Sequence, residues 1–144
     1  MNSKMTELAR EAVACDGWRW MEGMAVYPDG YREGDESIRL GCEAYTPSGF
    51  WFGMYSGNET TIDPDIENSI PDLTDPATLG CLLHLVREVY DDLSHNAIYS
   101  DPKQHGLSGH PSWVVVNDVG DRFSDELPTE AHALVAALKA GGDQ

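Results

Sequence analysis

Positive charge is what this sequence of 144 residues has least of: 9 Lys plus Arg stand against 25 Asp plus Glu, a formal charge of −16. A protein that neutralises phosphates needs clustered Lys and Arg, so direct nucleic-acid binding is not expected, and anionic membrane surfaces are disfavoured for the same reason. Cysteine is scarce as well. Cys15, Cys42 and Cys81 are odd in number and show no CxxC spacing, which fits a reducing compartment better than a disulfide framework. Long apolar runs are missing, and nothing near the beginning resembles an export h-region, so neither membrane insertion nor secretion is signalled. The expected location is therefore the cytoplasm. The GxSxG elbow, the P-loop and the dinucleotide GxGxxG are also absent, which removes the common hydrolase and nucleotide-binding fingerprints.

What is present is the material of a folded domain. Hydrophobic residues make up 41% and charged residues 24%, enough for a core, and the length suits one acidic α+β domain over 1–144. Met5, Leu8, Ala9, Ala12 and Val13 recur at helical spacing before Gly17 and predict a helix over 4–15. Residues 24–27, 37–45 and 50–55 read as three antiparallel strands separated by Pro28-Asp29-Gly30 and Pro47-Ser48-Gly49 turns. The stretch 58–73 reads as a surface loop. Asp75 as N-cap, Pro76 at the first helical position and a stripe of Leu79, Leu82, Leu83, Val86 and Val89 or Tyr90 predict a central helix over 76–92. Polar residues 94–112 read as an excursion, 113–116 as a buried strand, and Thr129 as the cap of a last helix with Ala131, Leu134, Val135 and Leu138 on its apolar stripe. The fold class expected is a three-to-four-stranded antiparallel sheet packed by a central helix, with N- and C-terminal helices.

Three stretches carry a resemblance: ACDGWRWMEGM at 14–24, PDLTDPATLGCLLHLVRE at 71–88 and PTEAHALVAAL at 128–138. They resemble a group of small uncharacterised acidic proteins encoded by bacteriophages and prophages. The resemblance implies a phage or prophage origin, and hence the cytoplasm of a host bacterium, and it brings no activity or site residue with it. Members of that group often carry Glu where this chain has His132.

Each candidate for chemistry has a plainer alternative. His105 and His110, with His95 upstream, offer nitrogen ligands for a metal, but they lack paired cysteines or a helical HExxH context. Cys81 in the first half of the central helix is a nucleophile candidate through the helix dipole, or simply a small thiol beside the apolar stripe. Asp63, Asp65 and Glu67 alternate as in a calcium loop, yet Asn68 and Thr74 stand where Gly and Glu are required. Asp118, Asp121, Asp125 and Glu126 are a further acidic cluster. The aromatic strand 50–55 is apolar on both faces, so either both are covered or one is an interface.

Charge distribution carries the functional expectation. Between Arg39 and Arg87 there is no Lys or Arg, while Glu43, Glu59, Asp63, Asp65, Glu67, Asp72 and Asp75 are all acidic. Such a surface is either solvated for its own sake or faces a basic partner, where carboxylates stand in for phosphates. The expectation is a phage-encoded accessory protein, not an enzyme, that docks on a basic, nucleic-acid-binding host protein as a decoy, in the manner of an anti-defence inhibitor of CRISPR or restriction systems. Its binding residues are expected to be Asp63, Asp65, Glu67, Asp91 and Asp92, with Trp18 and Trp20 as aromatic anchors. No catalytic residue, metal ligand or cofactor is expected. The alternatives are a small metal- or thiol-dependent enzyme and an oligomeric virion or assembly component.

Overall fold

Asp75 begins the longest helix because its carboxylate does two jobs at once. One oxygen accepts from the Thr78 amide (2.9 Å) and the Thr78 hydroxyl (2.8 Å), satisfying a donor that a helix start leaves open. Both oxygens meet the Arg39 guanidinium, at 2.6 and 2.8 Å. The structure is a computed structural model describing residues 3–27, 36–43, 51–55, 58–62, 69–100 and 112–142, with backbone alone at 42, 43, 51–55, 58–62, 100 and 142. The fold class is α+β. In chain order the elements are α1 (Ser3–Ala14), β1 (Ala25–Tyr27), β2 (Ile38–Glu43), β3 (Trp51–Tyr55), β4 (Asn58–Ile62), β5 (Ile70–Pro71), α2 (Pro76–Tyr90), β6 (Asn96–Ser100), β7 (Ser112–Val116) and α3 (Glu130–Gly142).

Two compact units share these elements: Met1–Val13 with Arg19–Cys81, and Ala14–Trp18 with Leu82–Gln144. The first contains an antiparallel sheet in the order β4-β3-β2-β1-β5. The three strands expected from the turns between them and their strand-forming residues are its centre, and β2 meets β3 through a register irregularity between Leu40 and Glu43. The stretch expected as a loop supplies both edges. Residues 58–62 pair with β3 from Tyr55↔Asn58 to Trp51↔Ile62, and Ile70–Pro71 pairs with β1. Asn58, Glu59, Thr60 and Thr61 lack the apolar residues that mark a strand in sequence, which hid β4. Leu8, Ala9, Ala12, Trp20, Met24, Val26, Leu40, Ile70 and Leu73 are buried in this unit. The Ala25 amide donates to the Thr78 hydroxyl at 2.8 Å, and Thr78 is fully buried, so β1 is fastened to the first turn of α2.

The second unit is built on the hairpin β6-β7, paired from Asn96↔Val116 to Ser100↔Ser112. Part of the expected excursion is thus a strand, and 113–116 pairs with it instead of extending the first sheet. Tyr99 and Trp113 face each other across the pair with ring centroids 5.3 Å apart. The chain then folds back along the other edge of β7, where Trp113 and Leu127 exchange two backbone hydrogen bonds and Phe123 donates to Val115. Helix α3 packs on this sheet. Its expected stripe of Ala131, Leu134, Val135 and Leu138 is buried, whereas the buried face of α2 is Leu82, Leu85 and Val86, with Leu79 and Leu83 only half-buried beside it. A Cβ on Gly141 would collide with Val89, so glycine sets how closely α3 approaches the end of α2. Among the described residues no helix is long and apolar enough to cross a membrane.

Candidate binding site at the end of the second helix

Helix α2 stops at Tyr90, two residues before the expected end, and the way it stops builds the site. Asp91 has φ 49°, the left-handed conformation usually given to glycine. Its amide donates to the Glu88 carbonyl (3.1 Å) and the Asp92 amide donates to the Arg87 carbonyl (3.0 Å). This pair of bonds is the Schellman closure, made here with an aspartate where the backbone favours glycine. The position is unfavourable twice, since a carboxylate also sits badly at the negative end of the helix dipole.

The residues after Asp91 are held firmly. Asp92 Oδ1 accepts from the Ser94 amide (2.9 Å) and the Ser94 hydroxyl (2.7 Å), an Asx turn whose hydrogen bonds hold the Asp92 carboxyl below the ordinary carboxylate range. Arg87 reaches back along the helix end. Its Nε donates to the His95 carbonyl and its Nη2 to Asn96 Oδ1, each at 2.9 Å. His95 itself is 1% exposed, stacked on Tyr90 with centroids 4.9 Å apart and edge-on to Phe123 at 4.2 Å. Its Nδ1 lies 3.0 Å from the Asp92 carbonyl, and because a carbonyl only accepts, Nδ1 carries the proton. Its Nε2 has no hydrogen-bond partner among the described residues. The loop over 91–96 therefore rests on a ring cluster in which His95 is buried and Tyr90 and Phe123 are half-buried. Beside that cluster lies an open groove of about 810 Å³ lined in part by Tyr90, Phe123, Arg122 and Glu126. Its Arg122 is already opposite Glu126 at 3.4 Å.

A second loop meets the first. Asn117 Oδ1 accepts from the Val119 and Asp121 amides, the Gly120 amide donates to the Asn117 carbonyl, and Gly120 takes φ 86°. This is a tight hairpin turn with Val119 at its tip, and its Asn-Asp-Val-Gly sequence is a local signal for such a turn. The Ser94 hydroxyl joins the two loops by accepting from the Asp118 amide at 3.2 Å. Asp91, Asp118 and Asp121 are exposed and Asp92 is half-buried, so four carboxylates crowd two linked turns. The same turns carry Leu93, 78% exposed, and Val119, 75% exposed.

Of the expected binding residues, Asp91 and Asp92 belong to this site. Asp63, Asp65 and Glu67 lie outside the described residues. Trp20 is buried in the first unit and Trp18 is half-buried in the second. The side chains of the aromatic strand likewise lie outside what is described. Two acids of the cation-free segment serve the fold: Asp75 is paired and capping, and Asp72 is buried under hydrogen bonds from Tyr27 and Thr74. Leu93 and Val119 were not anticipated, since a single apolar residue in a polar loop makes no periodic pattern.

Burial raises the Cys81 thiol, reinforced by the Asp75 carboxylate, so the reactive thiolate is disfavoured, and its Sγ donates to the Glu22 carbonyl at 3.5 Å. Among the described residues no three His, Cys, Asp or Glu side chains converge to hold a metal, which includes the Asp118, Asp121, Asp125 and Glu126 cluster. His105 and His110 lie outside the described residues. His132 joins the cap of α3, with its amide donating to Thr129 Oγ1 (3.1 Å) and its Nδ1 2.6 Å from the same oxygen. It fills there the position Glu takes in a capping box. Compared with protein-family models, with curated proteins and with solved structures, the chain shows no match.

Proposed function

We propose that the protein is a non-catalytic accessory protein, of phage or prophage origin on its sequence resemblance, that docks on a basic surface of a host protein and occludes a nucleic-acid site there. The observation that carries this reading is the placement of Asp91, Asp92, Asp118 and Asp121 on two hydrogen-bonded turns of a chain whose net charge is −16. Carboxylates on such turns stand in for phosphates before a cationic groove and speed association with it. An inhibitor of a bacterial defence nuclease, of the CRISPR or restriction kind, has this chemistry.

Affinity capture from a bacterial lysate at low and moderate salt, with wild type beside a variant carrying Asn at 91, 92, 118 and 121, tests it. A basic nucleic-acid-binding protein should be retained by the wild type at low salt and lost at the higher salt. It should also be lost on the neutralised variant, and its nucleic-acid binding should fall when the wild-type protein is added. A captured set that ignores both salt and the four substitutions sinks the reading.

A further inference from the structure

Leu93 and Val119 stand nearly free of the rest of the chain, at 78% and 75% exposure, although both occupy turns that polar residues would fill at no cost. They are not loosely tethered. Ser94, next to Leu93, binds the Asp118 amide, next to Val119, while Arg87 and the Asn117 side chain fix the backbone on either side. The pair is thus presented on a rigid platform, which lowers the ordering cost of binding. The same two linked turns carry four carboxylates, those of Asp91, Asp92, Asp118 and Asp121.

We infer that this pair is the apolar centre of a docking surface whose partner is a protein face with an aliphatic pocket rimmed by Lys or Arg. The inference rests on the electrostatic reading above and deepens it by naming what the centre of the contact takes up. Charge complementarity selects the occupant. In a two-fold contact between copies of this chain each acidic rim would face its own like, and an anionic lipid surface would meet the same repulsion. A cationic rim removes the repulsion and leaves the two aliphatic side chains to be buried, the arrangement of an apolar centre within a charged ring.

Two defined probes test it: an amphipathic peptide of Lys and Leu, and an oligolysine of equal charge, each titrated into the full chain while backbone amides are followed by heteronuclear NMR. The amphipathic peptide should bind about tenfold more tightly, the gain expected from burying part of two aliphatic side chains. Its shifts should centre on 91–95 and 117–121. The double variant Leu93→Ser, Val119→Ser should bind both peptides as weakly as wild type binds oligolysine, with an unchanged unfolding transition because both side chains are exposed. Equal affinity of wild type for the two peptides, or shifts centred elsewhere, overturns the inference and leaves the electrostatic reading standing. Failure of both peptides to bind overturns that reading and the inference with it. Amide shifts at the pair that follow the protein's own concentration would assign it to a second copy and overturn the proposal.

Discussion

The two ends of α2 each carry aspartate, and they treat it in opposite ways. At the N-terminus Asp75 caps the helix, sits at the positive end of the dipole and receives a bidentate Arg39, and its carboxyl is lowered to about 2, chiefly by that guanidinium. At the C-terminus Asp91 occupies a left-handed position that suits glycine, at the end of the dipole that disfavours a negative charge. Position alone separates the two roles. One aspartate stabilises the helix, and the other is held in spite of a local cost. Such a cost is met elsewhere in the structure, and it directs attention to what the side chain does beyond the fold.

The largest effect that would sharpen this contrast is at Asp75. Replacing it by Ala removes the cap and leaves Arg39 and the buried Thr78 hydroxyl short of an acceptor, and should cost about 3 kcal/mol in urea unfolding. Asp75→Asn keeps an oxygen for the cap and should cost about 1 kcal/mol. Equal losses for Ala and Asn would mean that the ion pair, and not the cap, holds this end.

A smaller effect follows from pH. The folded carboxyl of Asp75 titrates near 2, below its ordinary 3.8, so its stabilisation is complete above pH 3.8 and is lost as the pH falls through about 2. The difference corresponds to about 2 kcal/mol, and Arg39, being half exposed, brings the realised value below that. Urea midpoints at pH 5 and pH 2.5 should fall further for wild type than for Asp75→Asn. Parallel pH profiles for the two proteins would remove Asp75 from the acid response.

How much of this could be read in the sequence divides along the same helix. The start of α2 was legible because Asp75-Pro76 is a local signal, in which a side chain caps its own helix and proline pre-sets the first turn. Its end was not, because no glycine marks the left-handed residue and the apolar stripe runs on into Tyr90. The three central strands were legible from turns and strand-forming residues, whereas β4 and β6 are edge strands: Asn58-Glu59-Thr60-Thr61 reads as loop, and Ile98 and Tyr99 of β6 are half exposed. The site shows the same limit. Asp91 and Asp92 could be picked out by charge, but their union with Asp118 and Val119 depends on a hydrogen bond between Ser94 and Asp118, twenty-four residues apart. Nothing local encodes that pairing.

The smallest predicted effect has the opposite sign and bears most directly on why Asp91 is there. Asp91→Gly should stabilise the protein by about 1 kcal/mol, from relief of the left-handed conformation and removal of a negative charge at the helix C-terminus. Asp91→Asn tolerates the same backbone and removes only the charge, so its gain should be about half as large. Thermal unfolding of the two variants measures both contributions. If either variant is more stable yet binds the amphipathic Lys and Leu peptide more weakly, then the strain at this turn is the cost of holding a carboxylate in the binding surface, which is the pattern of a site that trades stability for function. If both are less stable than wild type, Asp91 is a cap in its own right, the contrast between the two ends of α2 dissolves, and the case for a functional role at this position rests on its charge alone.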